Sequence, residues 1–226
     1  MTVQKQSIRW RERSRLKQAL QLYLVMDLQG TETLNAIQIA EAAIRGGVTT
    51  LQIRDKKADD HLWMTVGYSI RELCAQAGIM FIVNDRVDLA KQLRADGVHL
   101  GQDDLSVEQA REIVGQEVVI GLSVGNELEY AIAEQTSADY YGVGAVYATS
   151  SKADAGEPIG LDLIQSISQN EKIPVVGIGG IHVGNAAAVI QAGACGVAVL
   201  SAIGKSTDPF AATREIWKVT HGSPTF

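Results

Sequence analysis

The chain has 226 residues, 46% of them hydrophobic, which suits one globular domain with a full core. Its formal net charge of −6 argues against nucleic acid as a general partner but leaves room for a local basic phosphate pocket. No apolar run is long enough to span a bilayer, no apolar secretory segment opens the chain, and Cys74 and Cys195 read as reduced packing residues of a cytoplasmic protein.

Residues 1–21 differ in charge from the rest. Lys5, Arg9, Arg11, Arg13, Arg15 and Lys17 face one acid, Glu12. A nucleic-acid or membrane arm is one reading. The spacing of Ile8, Leu16, Ala19 and Leu20 favours another, a short amphipathic helix with a solvated basic side that covers the start of the following domain.

From Leu22 onward, short apolar runs alternate with longer amphipathic stretches. Run 22–26 predicts a strand, and 34–45 a helix opened after Thr33 and closed by Gly46 and Gly47. Strand 49–53 precedes a helix over 59–77 that stops at Gly78. Strand 80–83 leads to a helical stretch ending at Leu93. Strand 97–100 precedes helix 106–114, and strand 118–122 precedes helix 126–135. Strand 140–143 is followed by the longest loop and then helix 161–168. Strand 175–178, helix 183–192, strand 196–200 and helix 209–219 complete the chain. Cys74 falls in a helix and Cys195 in a strand. Short continuous apolar runs suit strands buried on both faces of a parallel sheet. Their alternation with helices predicts an α/β fold, a single-domain (β/α)8 TIM barrel over 22–226 with a short N-terminal helix in 1–21. A doubly wound open sheet is the alternative, but no glycine-rich dinucleotide fingerprint opens the first turn.

Active sites of such barrels lie at the C-terminal strand ends, so the residues after each run are the candidates. Gln52, Arg54 and Lys56 alternate along extended chain and so share a face. A guanidinium fork and an ammonium suit a polyphosphate, although a solvated charged loop would have the same residues. Asn84, Asp85 and Arg86 follow the third run. His99, Asp103 and Asp104 sit at and after the fourth. Carboxylates at neighbouring strand ends suit a shared hard cation such as Mg²⁺, and Asp85 and Asp104 are equally placed to cap helices. His99 reads as packing or hydrogen-bonding at its strand end rather than as a metal ligand. Ser123, after the fifth run, says little alone. Thr149, Ser151 and Lys152 in the long loop suit phosphate, or a solvated polar loop. Gly179-Gly180 and Ser201 are one β/α unit apart. Loops seven and eight of barrels often bind phosphate through backbone N–H groups and a short extra helix.

The motifs LQIRDK, FIVNDRVDLA, DGVHLGQDD, GLS, YYGVGAVYATSSK, PVVGIGGI and VAVLSAI, in this order, resemble the thiamine phosphate synthase family. The resemblance runs from about residue 22 to about residue 214. It implies a transferase that joins 4-amino-2-methyl-5-hydroxymethylpyrimidine diphosphate to 4-methyl-5-(2-hydroxyethyl)thiazole phosphate, or its carboxylated form, releasing pyrophosphate. It implies that Gln52, Arg54, Lys56 and Asn84 hold the pyrimidine diphosphate, with Ser123 and Lys152 completing that site. Asp85 and Asp104 would bind Mg²⁺. Thr149, Ser151, Gly180, Leu200 and Ser201 would meet the thiazole phosphate. Chemistry would fall to Arg54, Lys56, Ser123 and Lys152. The implied partners are two small molecules, with no nucleic acid or membrane, and the oligomeric state stays open.

Three positions depart from the family's pattern. Ala148 stands where proline is common, Ser151 where threonine is common, and Gly125 where a histidine often follows the serine. A related branch, the thiazole tautomerases, resembles the same barrel but tends to lose the carboxylates and to use a histidine near Gly125. The retained aspartates and absent histidine favour the synthase. A tautomerase-like isomerase and a non-catalytic phosphate-ligand sensor are the alternatives.

Overall fold

Side chains alternate along a strand, so each strand here sends one set of residues outward and the other inward. Leu22, Leu24, Leu51, Ile53, Phe81, Val83, Val98 and Leu100 belong to the layer that packs on the helices. Tyr23, Val25, Met80, Ile82, Val119, Tyr140, Val176 and Ala198 form a second core inside the sheet. Both faces are therefore largely buried, and the strands are β1 (Leu22–Met26), β2 (Thr50–Ile53), β3 (Met80–Asn84), β4 (Gly97–Leu100), β5 (Val119–Val124), β6 (Tyr140–Val143), β7 (Val175–Ile178) and β8 (Gly196–Val199). Each pairs parallel with its neighbour, and β1 pairs with β8 to close the barrel. This computed structural model describes residues 10–151, 156–169 and 173–221.

The helix Arg13–Ala19 closes the barrel floor. Leu16, Ala19 and Leu20 are buried against the inner core, and the Thr50 hydroxyl donates to the Ala19 carbonyl at 2.5 Å. A Cβ on Gly196 would lie 1.9 Å from the Leu20 carbonyl oxygen, so only glycine admits this approach. Arg11 donates to one oxygen of Asp139 (2.8 Å), and Arg111 to the other (2.7 Å). Ile8 lies outside the described residues.

The strands fall within two residues of their expected ends, whereas several helices differ. The helix expected to open after Thr33 is Ala36–Gly46. Asn35 and Gln38 exchange side-chain and backbone hydrogen bonds in a capping box that outcompetes Thr33. The stretch 59–77 divides into Asp60–Leu62, a wider π-helical turn Trp63–Gly67 that carries the buried Trp63, and Tyr68–Ala77. The helix expected from residue 183 begins at Ala186, because the Asn185 side chain accepts the His182 N–H and makes a turn first. Cys195 sits one residue before β8 rather than in it. Both thiols are free, and burial pushes Cys195 up to about 12 and raises Cys74 as well. No described helix is long and apolar enough to cross a membrane.

Candidate active site

A cavity of about 480 Å³ opens at the C-terminal ends of the strands. Gln52, Arg54, Asn84, Ser123, Thr149, Ser151, Gly180, Leu200 and Ser201 all line it. Lys56, Asp85 and Asp104 stand beside this lining, where Lys56, Arg54 and Asp104 all act electrostatically on Asp85. Lys152 lies outside the described residues.

One wall is the loop after β2. The Arg54 N–H donates to the Met26 carbonyl at 2.8 Å, which extends the sheet into the loop. Asp55 then turns back and accepts the N–H groups of Lys57 and Ala58 (2.9 Å each) and of Leu28 (3.1 Å). Burial pushes the Asp55 carboxyl up, but these N–H donors outweigh it and hold the group below its ordinary range. Asp55 thus fixes the backbone between Arg54 and Lys56.

The second wall carries the carboxylates. Asp85 adopts a left-handed backbone (φ 58°), a conformation that costs a non-glycine residue on the order of 1 kcal/mol or more. Its N–H donates to the His99 carbonyl (2.9 Å), and the Val87 N–H donates to the Asp85 carbonyl (2.9 Å). Arg86 is latched by Asp88 and Asp60. The turn brings Asp85 into hydrogen-bonding contact with Asp104, which also accepts the Gly101 N–H at 2.6 Å. Neither aspartate caps a helix. Ser106 caps Val107–Val114, and Val87–Gln92 starts after Arg86 with no side-chain cap. The helix-cap reading of these residues is therefore corrected.

Burial, and then Asp104 as hydrogen-bond partner and like charge, push Asp85 up to about 6, against the pull of Arg54 and Lys56. Among the described residues no three metal-binding side chains gather. Two carboxylates that repel each other are a donor pair that Mg²⁺, completed by further oxygens, can accept. A carboxyl raised in this way favours the protonated folded form. Its contribution to stability is present below its ordinary value of 3.8 and is lost as pH rises through about 6. A cation should reverse that loss. Mg²⁺ is expected to raise the melting temperature at about pH 7.5 and to have little effect at about pH 5. Equal shifts at both pH values in thermal melts would detach the ion from Asp85.

The third wall is glycine-rich. Gly179 (φ 101°) and Gly180 (φ 64°) are left-handed, and a Cβ on either would fall 2.6 Å from Ala145 or the Ala148 carbonyl oxygen. This closeness lets the Val146 and Tyr147 N–H groups donate to the Ile178 (2.9 Å) and Gly179 (3.0 Å) carbonyls, joining the loops after β6 and β7. The Ser151 hydroxyl donates to Ser201 at 3.3 Å, where the short helix Ser201–Gly204 begins. Hydroxyls, glycine backbone and a helix start thus converge on one pocket, as phosphate sites in barrels do.

Tyr23, Tyr140 and His99 make the cavity floor, and His182 lies on its wall. Of these the sequence singles out only His99, whose expected hydrogen bonding at its strand end is what the structure shows, while the tyrosines have the pattern of core residues. The two ring nitrogens of His99 lie within hydrogen-bonding distance of Tyr140 on β6 (2.9 Å) and of Ser123 on the adjacent β5 (3.0 Å). The available signal was a polar tip on each inward-facing aromatic ring, with Gly121 and Gly142 nearby.

Comparison with known proteins follows the same outline. The family model of thiamine monophosphate synthase matches residues 22–203. The thiamine-phosphate synthase of Moorella thermoacetica is 44% identical to this chain, over 88% of it and 94% of that protein. The thiamine-phosphate synthase of Haloquadratum walsbyi is 47% identical, over 88% of this chain and 90% of its own length. The solved structure of thiamine phosphate pyrophosphorylase from Pyrococcus furiosus superposes with a TM-score of 0.83 at 38% identity, covering 91% of this chain and 97% of that one.

Proposed function

This chain belongs to the thiamine monophosphate synthase family, and we propose that the residues at its barrel mouth carry out that synthesis as follows. The enzyme is an alkyl-group transferase that condenses the pyrimidine diphosphate with the thiazole phosphate to give thiamine phosphate and pyrophosphate.

Gln52, Asn84 and Ser123 hold the pyrimidine end of the first substrate. Arg54, Lys56 and Lys152 meet its diphosphate, the guanidinium through paired hydrogen bonds and the ammonium groups as point charges. Asp85 and Asp104 would hold Mg²⁺, which when bound would supply positive charge against the departing pyrophosphate. Thr149, Ser151, Gly180, Leu200 and Ser201 take the thiazole phosphate. The methylene C–O bond breaks first. Pyrophosphate leaves with the bonding pair, and the ring amino group feeds electrons toward the methylene carbon. The thiazole nitrogen then donates its lone pair to that carbon. No protein nucleophile takes part. The barrel positions the two substrates and excludes water, which would trap the cation. Residues 1–21 form an N-terminal extension, of which the described helix Arg13–Ala19 supports the floor, and 22–226 form the catalytic domain.

The observation that most supports this reading is the Asp85–Asp104 contact, made by a left-handed aspartate beside Arg54 and Lys56. Incubating the protein with both substrates and Mg²⁺ should yield thiamine phosphate and pyrophosphate, and absence of product would sink the reading. The isomerase alternative lacks its proton carrier. The Gly125 N–H donates to Glu129 at 2.7 Å, and a Cβ there would already lie 3.3 Å from the same carboxylate oxygen. Metal-free isomerisation of the thiazole carboxylate phosphate is expected to stay at the blank rate. Robust turnover in that assay would assign the chain to the other branch.

A further inference from the structure

Five side chains from five strands form one continuous hydrogen-bonded line across the barrel under the cavity. Gln52 on β2 donates through Nε2 to the Tyr23 hydroxyl on β1. The hydroxyls of Tyr23 and Tyr140, on β6, are 2.9 Å apart. Tyr140 lies 2.9 Å from Nδ1 of His99 on β4, and His99 Nε2 lies 3.0 Å from Oγ of Ser123 on β5. The space for this line comes from two glycines. A Cβ on Gly121 would stand 2.2 Å from the Tyr140 ring and 2.5 Å from His99 Nδ1, and one on Gly142 would stand 2.9 Å from the His99 ring.

Each link dictates the next. Burial raises both phenols above their ordinary range, so each keeps its one proton to donate. Of the two groups bonded to the buried Tyr23 hydroxyl, Gln52 Nε2 can only donate, so Tyr140 is the partner that can take the Tyr23 proton. The Tyr140 proton then has His99 Nδ1 as its acceptor. An imidazole that accepts at Nδ1 carries its proton on Nε2 when neutral, and it gives that proton to Ser123 Oγ. The hydroxyl proton of Ser123 is left to point elsewhere. The two ends therefore have opposite character: Gln52 has its Oε1 as acceptor, and Ser123 has its O–H as donor. Both residues line the cavity.

We propose that Tyr23, Tyr140 and His99 are positioning residues that set these opposite polarities, so that the cavity selects an aminopyrimidine over a hydroxypyrimidine. This rests on the reading of Gln52 and Ser123 as pyrimidine contacts. An aminopyrimidine offers an exocyclic N–H to the acceptor and a ring nitrogen lone pair to the donor. Its hydroxy analogue, as the oxo tautomer, places a carbonyl where the amino group was and a ring N–H where a lone pair was. It would leave polar groups unpaired at the site, and such losses weigh more than missing apolar contacts.

Tyr140→Phe cuts the line while keeping the ring. The Michaelis constant for the aminopyrimidine diphosphate should rise about tenfold, and the preference over the hydroxypyrimidine diphosphate should fall about tenfold, the size of one well-made hydrogen bond. The constant for the thiazole phosphate should not change. Nitrogen-15 spectra of the substrate-free protein, with His99 assigned through His99→Gln, should show the Nε2–H tautomer in the wild type, and the Nδ1 resonance should shift in Tyr140→Phe, where its hydrogen-bond donor is gone. Tyr23→Phe, which breaks the next link, should show the same loss of preference. An unchanged Nδ1 resonance with unchanged preference would overturn the proposal, as would equal rises in both Michaelis constants, the mark of a merely structural role. A wild type that forms no thiamine phosphate would remove the functional reading beneath it, and the substrate-free tautomer separates that outcome from a failure of the line itself.

Discussion

Excess chelator is expected to abolish thiamine phosphate formation, and added Mg²⁺ to restore it. Asp85 and Asp104 touch, and burial, followed by the hydrogen bond and like charge of Asp104, pushes Asp85 up to about 6. A diphosphate brings more negative charge to the same mouth, so without a divalent ion it should bind poorly and leave slowly. Asp85→Asn and Asp104→Asn should each raise the Mg²⁺ concentration for half-maximal rate by about a hundredfold, since even contacts that only support a metal ligand cost about 10–100-fold. The double variant should lose little more than either single one, because both residues serve one ion. Asp85→Asn removes a strained charge, so its metal-free melting temperature at neutral pH should not fall, which separates metal loss from damage to the fold. Initial rates across a Mg²⁺ titration decide the matter. Full activity in chelator, or losses that simply sum, would show that the aspartates do not share an ion.

Lys152→Ala should lower the synthase rate about 10²–10³-fold, the usual effect of removing one group that stabilises charge developing in the transition state. Thr149, Ser150 and Ser151, the neighbours of Lys152, all line the cavity. The surrounding stretch is polar, so the melting temperature should change little. The Michaelis constant for the thiazole phosphate should also stay the same, which places the loss on the diphosphate. Wild-type turnover in Lys152→Ala would remove the lysine from the mechanism.

Legibility differed from one element to the next. The strand Leu22–Met26 was readable to the residue because both of its faces are buried, one on helices and one in the barrel interior, which leaves an unbroken apolar run. The helical character of 59–77 was equally plain, but the π turn Trp63–Gly67 was not. A single widened turn barely disturbs a period of 3.6 residues. Thr33 and Asn35 are both cap-type residues, and Gln38, three residues after Asn35, is what decides between them. Gln52, Arg54 and Asn84 reached the cavity as expected, because position at a strand end decides that.

By itself the sequence determined the barrel, the strand ends and the residue types at the mouth, since local burial and periodicity are written in neighbouring residues. Only the tertiary structure decided that Asp85 turns left-handed to meet Asp104 instead of capping a helix. That outcome depends on the His99 carbonyl of the adjacent strand and the Asp60 latch on Arg86. Only the tertiary structure, too, joined Tyr23 to Tyr140 across 117 positions of sequence and gave His99 its two partners. A tyrosine in an apolar run has the pattern of a core residue whether or not its hydroxyl finds a partner. The partner is chosen by closure of the barrel, which brings distant strands face to face at a depth where a polar tip left unpaired would cost on the order of 1–3 kcal/mol.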